Sequence, residues 1–425
     1  MKFRNFFLVA VLMAFSGWVG MWIGQERLKL SFANWKPAVL VNRQPTLSSN
    51  PADADFSMFW RVWDTVSKLY VDKSELDTEK MIDGAISGMV SAIGDPYTVY
   101  LPPQQNKEAK EDLGGAFEGV GIQLGYVDKQ LAVVTALDGT PAFKAGVKSG
   151  DLILRIQDEK QKIDRQTDGI ALAEAVKLIR GPKGSTVKLT MYRKGEDKPF
   201  DLSLMRDTIV VKSVTSEYIP TNESKPDGEK AAWIKLTRFG DRTKEEWMAI
   251  VADVSEKCAK KGKDCKGVVL DLRNNPGGYL DMAVYIAGEF LKPGQLVVSQ
   301  QYGDGTKEHN NVDRNGRLLD MPVVVLVNEG SASASEILAG ALQDHSRARV
   351  VGIKSFGKGS VQKPEDFVDG SGIHVTIAKW LRPSGDWIDK KGITPDVVIE
   401  AGEATDSAKM SDDKQLMKAV ETLLK

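Results

Sequence analysis

Three serines, Ser331, Ser333 and Ser335, alternate in the stretch NEGSASASEILAGALQDH at residues 328–345. The apolar run PVVVLV directly before it predicts a buried strand, and the pattern after the serines predicts a helix. A strand that turns tightly into a helix N-terminus presents free backbone N–H groups, which can stabilise the oxyanion of an acyl-transfer reaction. One serine is therefore a candidate nucleophile. Helix capping is the alternative, and the local sequence favours it for any single serine.

A serine hydroxyl is a poor nucleophile without a base. His345 follows the serines by about three helical turns, which places it roughly 10 Å or more from the helix mouth. His309, expected in a hairpin tip, and His374, expected in a strand, stand in no triad pattern. The other candidate is Lys358, in the glycine-flanked loop of VVGIKSFGKGSVQ. Burial among apolar groups would lower its pKa from near 10.4 to roughly 7–8, the useful range for a base; a solvated surface lysine is the alternative.

Composition and motifs argue against several other functions. The chain carries 57 Lys and Arg against 58 Asp and Glu, so no positive field attracts nucleic acid. Gly352, Gly357 and Lys358 fit the G-x-x-x-x-G-K phosphate loop, but Gly359 replaces its Ser or Thr and no helix is expected to follow. Scattered histidines and the lack of a C-x-x-C spacing disfavour zinc. No metal and no cofactor is expected.

Residues 208–400 predict strands alternating with helices, hence an α/β domain with a mixed or parallel sheet. Ligands bind beyond the carboxyl ends of the strands in such a sheet. Two expected strand ends carry small residues, namely NNPGG at residues 274–278 and the serine stretch. Residues 401–425 predict a C-terminal helix that packs on the core or on a second subunit.

Residues 113–207 predict short strands with two helices, in an order that resembles a PDZ domain. The most specific pieces are AGVKSGD at residues 145–151 and EGVGI at residues 118–122. The resemblance implies that Gly119, Val120, Gly121 and Ile122 bind the terminal carboxylate of a peptide, which adds as a strand beside the sheet. GVG as a dinucleotide loop is the weaker interpretation, because the third glycine and the helix are missing.

The N-terminal part favours an uncleaved membrane anchor with the rest of the chain outside the cytoplasm. The uncharged apolar run at residues 6–24 can span a hydrocarbon core of about 30 Å, so residues 1–24 are interpreted as a membrane anchor or signal segment. Residues 25–52 are interpreted as a linker. Residues 53–112 predict a helical region whose aromatic stripe is core or a dimer surface. Cys258 and Cys265 either close a disulfide loop or are two unrelated thiols.

Several separated motifs, GSASASEILAGALQDH, FGKGSVQ, LDLRNNPGG and GDPYTVYL, together with the PDZ-like segment, resemble the carboxyl-terminal processing peptidases, also called tail-specific proteases. The resemblance covers residues 55–400. It implies a serine endopeptidase with a Ser–Lys dyad on a crotonase-like α/β core that carries an inserted PDZ domain. It further implies protein or peptide substrates with free C-termini. Together with the N-terminal segment, this favours a location outside the cytoplasm, in a bacterial periplasm or cell envelope. A homo-oligomer is left open, since the sequence does not give the number of subunits.

Carried over residue by residue, the resemblance makes Ser333 the nucleophile, Lys358 the base and Gln362 the residue that orients the base. The oxyanion donors would be the N–H groups of Ala334 and of Gly278, which is preferred to its neighbour Gly277. The two outer serines would then be structural, and Glu336 would interact with the helix start.

Two other functions compete with proteolysis. The first is a membrane-tethered PDZ scaffold whose protease-like domain is inactive, against which the intact GSASAS and FGKGSVQ motifs count. The second is acyl-CoA chemistry on the crotonase-like core, against which the apolar N-terminus and the PDZ-like insertion count.

Overall fold

The computed structural model describes residues 28–33, 36–41, 55–221, 228–259, 265–400 and 412–425. The chain divides into two compact units, residues 1–81 and residues 82–425. The apolar run that predicts an anchor or signal segment lies outside the described residues. Among the helices that are described, none is long and apolar enough to cross a membrane.

The first unit contains a hairpin within the stretch expected to be a linker. Strands β1 (Leu28–Ala33) and β2 (Lys36–Val41) pair antiparallel, with Leu28 opposite Val41. The apolar residues of LKLSFA and KPAVLV favour strands, whereas the Pro- and Ser-rich residues that suggest a linker come after them. The structure therefore differs from the expected linker in this part.

The helical region begins as expected, but its aromatic stripe is not core. Helix α1 (Ser57–Leu69) buries none of its residues, and Phe56 and Trp60 are each 59% exposed. The rings contact one another instead, with the Phe59 and Trp60 centroids 5.1 Å apart. The core interpretation is wrong, and the dimer-surface interpretation stays a prediction. A short 3₁₀ helix (Lys73–Glu75) and helix α2 (Thr78–Ser91) follow.

The second unit continues through β3 (Val99–Leu101), α3 (Pro103–Gly114) and β4 (Ala116–Gly119) into the PDZ-like segment. Its elements are β5 (Ile122–Val127), β6 (Gln130–Ala136), α4 (Pro141–Lys144), β7 (Leu152–Asp158), β8 (Ile163–Gln166), α5 (Leu172–Ile179), β9 (Thr186–Tyr192) and β10 (Phe200–Met205). The sheet has the order β10-β9-β7-β6-β5 and encloses a hydrophobic core of its own. Strand β11 (Asp207–Val210) pairs with β4, so a two-stranded ribbon connects this segment to the rest of the unit.

The remaining residues form the expected α/β domain around a six-stranded sheet. Its strands, in spatial order, are β12 (Val214–Pro220), β13 (Lys230–Leu236), β14 (Cys265–Asp271), β17 (Val323–Val327), β18 (Arg349–Gly352) and β21 (Val397–Val398). All neighbours are parallel except β12 and β13. Because the carboxyl ends of β14, β17 and β18 meet at one edge, the turns that follow them come together there.

Both faces of this sheet are covered, which explains the continuous apolar strands. Val325 and Val327 pack with helices α6 (Thr243–Ala259), α7 (Leu280–Ala287) and α8 (Ala334–Asp344). Val324 and Leu326 face the opposite side and pack with the C-terminal helix α9 (Lys414–Leu423). A disulfide joins Cys258 in α6 to Cys265 at the start of β14, with their Cα atoms 4.9 Å apart.

A second sheet lies in the same unit and has the order β16 (Lys307–Asn311), β15 (Leu296–Tyr302), β20 (Gly372–Leu381) and β19 (Ser360–Asp366). The hairpin of β15 and β16 is as expected, although His309 lies in β16, paired with Ser299, and not in the tip. Strand β3 joins the sheet by pairing antiparallel with β20. This long-range pairing brings the residues before β3 close to the loop between β18 and β19.

Candidate active site

Ser333 stands at the junction of strand β17 and helix α8. It is the N-cap residue, and its φ of 54° and ψ of −115° are costly for a residue with a Cβ. Surrounding hydrogen bonds hold this conformation. The Ser333 N–H donates to Glu336 Oε2 at 2.9 Å, and its carbonyl accepts from the N–H of Glu336 at 2.8 Å and of Ile337 at 2.9 Å. The backbone of Ser333 is thus fixed, with its half-buried side chain at the helix mouth.

The two flanking serines are fully buried, and their hydroxyls are already engaged. Ser331 Oγ donates to the Leu272 carbonyl at 2.8 Å and accepts from the Asn328 N–H at 2.9 Å. Ser335 Oγ donates to the Asn275 carbonyl at 2.9 Å. These bonds join the serine turn to the turn after β14, which is a structural function. Among the three serines, only Ser333 is partly accessible.

The turn after β14 presents the glycines expected to form the oxyanion site. Asn275 is fully buried and accepts the Gly277 N–H on its side-chain oxygen at 2.9 Å, so that N–H is occupied. A Cβ on Gly277 would lie 2.9 Å from Ser333 Cβ, which shows how closely this turn approaches the serine. In the described part of the chain, the hydrogen bonds use neither the N–H of Gly278 nor that of Ala334. Both therefore remain available to a ligand.

Lys358 lies in the loop between β18 and β19, and its backbone is held at both polar groups. Its N–H donates to Glu336 Oε2 at 2.9 Å, and its carbonyl accepts from Trp380 Nε1 at 2.7 Å. Its ammonium nitrogen is 5.0 Å from the centroid of the Tyr97 ring. Burial lowers the pKa of Lys358, against the opposing effects of the nearby carboxylates of Asp95 and Glu336.

The Glu336 carboxylate connects the serine turn with the lysine loop. Its Oε2 accepts the backbone N–H groups of both Ser333 and Lys358, each at 2.9 Å. Its Oε1 accepts from Ser355 Oγ and from the Gly357 N–H, both at 2.6 Å. Burial raises the pKa of Glu336, and these four hydrogen bonds oppose that rise. The sequence anticipates the contact with the helix start, but not the one with the lysine loop.

Gln362 lies on β19, and its amide is fixed by two hydroxyls. Nε2 donates to Ser360 Oγ at 2.8 Å and to Thr376 Oγ1 at 3.1 Å. Because both amide hydrogens are used, the amide oxygen is the atom that Gln362 can offer to another group. Both partners of the Gln362 amide are thus hydroxyls, and in the part of the chain that the structure describes none of its hydrogen bonds involves the Lys358 amine.

The sequence reasoning missed the residues just before β3. Tyr97 faces Lys358, and Thr98, 5% exposed, accepts the Thr376 N–H at 3.1 Å and donates to Asp95 at 2.6 Å. The sequence of residues 94–103 predicts only a helix break, and it gives no indication that these residues lie at the site. The only sequence signal was the motif GDPYTVYL, whose occurrence forms part of the family resemblance.

Two of the histidines are engaged away from Ser333. His345 caps the C-terminal end of α8 and contacts Gln295 and the Leu296 carbonyl. His309 contacts Ser299 Oγ at 2.8 Å. His374, on β20, has its pKa lowered by burial and by the charge of Lys358. Within the described residues, no three His, Cys, Asp or Glu side chains group as a metal site.

The expected peptide-binding loop lies between β4 and β5. Val120 is buried, and Gly121 has φ 80° in a place where a Cβ would lie 2.4 Å from Thr140. Only glycine fits this position. Strand β5, which Ile122 begins, stands at one end of its sheet, so an edge is left on the side opposite β6.

Comparisons with known proteins agree with this arrangement. Residues 230–399 match the model of peptidase family S41, residues 119–204 match the PDZ domain, and residues 14–105 match the N-terminal domain of the activating protease CtpB. The carboxy-terminal processing protease CtpA of Bacillus subtilis (strain 168) is 38% identical over 353 residues, which are 83% of this chain and 71% of that protein. This chain is a carboxy-terminal processing protease of peptidase family S41.

Two further relatives support the assignment. The carboxy-terminal processing protease CtpB of the same organism is 33% identical over 398 residues, covering 92% of this chain and 78% of that protein. The solved structure of a photosystem II D1 C-terminal processing protease has a TM-score of 0.50 and 27% identity, covering 87% of this chain and 97% of that one. The expected mixed α/β protease fold with a PDZ domain and the serine peptidase activity are confirmed. The crotonase-like description of the core stays a prediction.

Proposed function

We propose that this protease cleaves peptide bonds with Ser333 as the nucleophile and Lys358 as the base. The neutral Lys358 amine accepts the Ser333 hydroxyl proton while Oγ attacks the scissile carbonyl carbon. The resulting oxyanion receives hydrogen bonds from the N–H groups of Ala334 and Gly278. The Lys358 ammonium returns the proton to the leaving amine, and water then hydrolyses the ester on Ser333 by the same steps.

One observation carries this proposal: a single carboxylate oxygen of Glu336 accepts the backbone N–H groups of both Ser333 and Lys358. The two residues therefore belong to one hydrogen-bonded unit although they come from different loops. The lowered pKa of Lys358 supports its role, because only the neutral amine can accept a proton.

Gln362 positions the base through its free amide oxygen. That oxygen accepts an N–H of the neutral amine and so directs the nitrogen lone pair away from Gln362 and toward Ser333. The two hydrogen bonds from its Nε2 support this role, because they hold the amide in place and leave its oxygen uncommitted. Loss of Gln362 weakens turnover without removing the proton acceptor.

The PDZ domain supplies the preference for C-termini. The N–H groups of residues 119–122 bind the terminal carboxylate of a protein substrate, whose last residues add as a strand on β5. The edge position of β5 and the glycine-only geometry at Gly121 support this binding mode.

The protein acts outside the cytoplasm, in a bacterial periplasm or cell envelope, and residues 1–24 hold it at the membrane. The apolar run at residues 6–24 supports anchoring. The Cys258–Cys265 disulfide supports an oxidising compartment. The exposed aromatic residues of α1 support a homo-oligomer formed through this helix.

The test uses the full chain, an unfolded casein as substrate and a fluorophosphonate that labels activated serines. Ser333→Ala should abolish both cleavage and labelling while leaving the melting temperature nearly unchanged. Lys358→Arg should be inactive from pH 6 to 10, because guanidinium does not deprotonate in this range. Lys354→Arg, an exposed lysine in the same loop, is the matched control and should retain wild-type activity.

The wild-type rate should rise with pH through one ionisation below the ordinary lysine value of 10.5, since burial lowers the pKa of Lys358. Substantial cleavage by Lys358→Arg would exclude Lys358 as the base and reopen the search among the histidines.

A further inference from the structure

The segment at residues 95–98 reaches the active site through sheet pairing. Strand β3, which follows it, pairs with β20 so that Val99 stands opposite His374. Just beyond the last paired residues of the two strands, the Thr376 N–H donates to Thr98 Oγ1 at 3.1 Å. Thr376 in turn accepts from the Gln362 amide at 3.1 Å. The segment is thus hydrogen-bonded to the partner of Gln362.

The conformation of the segment is fixed by the Asp95 carboxylate. Its Oδ1 accepts the Tyr97 N–H at 3.1 Å, and its Oδ2 accepts the Thr98 hydroxyl at 2.6 Å. Pro96 restricts the backbone between them, as its ring fixes φ. The hydrogen bonds to Asp95 lower its pKa, against the opposing effect of burial, so it is ionised at neutral pH. These constraints place the Tyr97 ring over the Lys358 amine, 5.0 Å from ring centroid to nitrogen.

We propose that Tyr97 is a positioning residue of the proteolytic reaction: its ring covers the Lys358 amine and keeps water from it, while Asp95 and Thr98 hold the ring in place. The inference rests on the proposed role of Lys358 as the base. It adds a third segment, outside both the serine turn and the lysine loop, to the apparatus that prepares Ser333.

The ring affects the lysine in two opposite ways. As a π-face near a cation it stabilises the ammonium, and as an apolar cover it excludes the water that would solvate the charge. Burial affects the pKa of Lys358 more than the charges of Asp95 and Glu336 do, and it lowers that pKa. We expect the loss of the apolar cover to outweigh the loss of the contact with the π-face. Removing the ring should therefore raise the pKa and make the base less available at neutral pH.

Other charged groups around the lysine stay in place when the ring is removed. The carboxylates of Asp95 and Glu336 raise the pKa of Lys358, and His374 feels its charge from β20. Asp389 accepts the N–H of Gly359, the next residue, and its charge helps to raise the pKa of Tyr97. None of these groups is altered by a substitution confined to the aromatic ring, so a shift in the pH profile reports on the ring itself.

The experiment compares Tyr97→Leu with Tyr97→Phe in the full chain. The measurements are kcat/KM on unfolded casein and the rate of fluorophosphonate labelling of Ser333, each from pH 6 to 10. Tyr97→Leu should move the ionisation to higher pH by about one unit, which lowers the rate about tenfold at pH 7 and leaves the high-pH plateau unchanged. Tyr97→Phe keeps the ring and should reproduce the wild-type profile.

A loss in Tyr97→Leu that is equal at every pH would overturn the proposal, because it would indicate a structural role alone. An equal loss in Tyr97→Phe would overturn it as well, since the phenol hydroxyl and not the ring would then matter. Lys358→Met is measured in parallel. If that variant remains active, the role of Lys358 itself is wrong, whereas an inactive Lys358→Met with an unshifted Tyr97→Leu contradicts only the role of Tyr97.

Discussion

Replacing Glu336 with glutamine should separate activity from stability, because its carboxylate receives only hydrogen-bond donors. The substitution keeps the shape of the side chain but turns one acceptor oxygen into an NH₂ group. The glutamine amide should adopt the orientation of lower free energy, in which its NH₂ group replaces Oε1 and points toward Ser355. The Ser355 hydroxyl can rotate to accept from it, but the Gly357 N–H, which shared Oε1, is left without a partner. An unpaired buried N–H costs about 1–3 kcal/mol.

The loss of the buried charge offsets that cost. Since burial raises the pKa of Glu336, ionisation costs the folded state free energy at pH 7, and this cost is absent below the ordinary value of 4.5. Glutamine carries no charge and does not incur it. We therefore expect Glu336→Gln to change the free energy of unfolding by no more than about 1 kcal/mol at pH 7. At pH 4 the variant should be less stable relative to the wild type than it is at pH 7, because the wild type no longer carries the buried charge there.

Activity should respond more strongly than stability. The bonds from Ser333 and Lys358 would now end on a neutral oxygen, and charge-assisted hydrogen bonds are roughly twice as strong as neutral ones. Ser333 and Lys358 would then be held less firmly relative to each other, which should lower kcat about tenfold. This corresponds to about 1.4 kcal/mol. In addition, the carboxylate of Glu336 raises the pKa of Lys358, so its removal should move the ionisation in the pH profile to lower pH.

Glu289→Gln is the matched control. Glu289 is 3% exposed and forms a 2.7 Å ion pair with Arg314, away from the serine turn and the lysine loop. Breaking that pair should lower stability by about 3 kcal/mol with kcat unchanged. The assays are urea unfolding and casein cleavage from pH 6 to 10. Wild-type kcat with an unshifted profile in Glu336→Gln, or a stability loss as large as that of Glu289→Gln, would refute this reasoning.

Two further predictions concern the substrate and the C-terminal helix. Substrates with a free apolar C-terminus should be cut faster than the same chains with an amidated end, because residues 119–122 are proposed to bind a carboxylate. Equal rates would exclude this binding mode. Asp413→Asn should lower kcat a few-fold and the free energy of unfolding by about 1 kcal/mol, because Asp413 bridges Arg273, two residues before Asn275, at 2.9 and 2.8 Å. Asparagine can still cap α9, so the helix itself should persist. Urea unfolding and casein cleavage at pH 8 measure the two effects, and an unchanged kcat would show that the bridge has only a structural role.

Much of the core could be predicted from local pattern. PVVVLV is apolar at every position because both faces of β17 are covered, and small residues follow β14 and β17 because the serine turn and the glycine turn touch. The proposed nucleophile could not be chosen from pattern alone, because all three serines suit a helix cap. Burial and hydrogen bonding single out Ser333, and both depend on the turn at residues 272–278.

The missed features share one cause, which is pairing between residues far apart in the chain. Tyr97 is near Lys358 only because β3 pairs with β20, and no local pattern encodes that register. Likewise, Glu336 looks like an acidic residue in the first turn of a helix, and its second set of partners comes from another loop. The exposed aromatic residues of α1 show the reverse case, in which a pattern typical of core lies on the surface.

A lysine base places a particular demand on the fold, because its long side chain loses about 1.5–2 kcal/mol of rotamer freedom when it is fixed. The structure meets that demand from three segments: Glu336 holds the N–H of Lys358, Trp380 holds its carbonyl, and Tyr97 covers its amine. The segments come from α8, from β20 and from the residues before β3. In the proposed mechanism, the Lys358 amine is in place only after all three segments have folded together, so a partly folded chain would have Ser333 without its base.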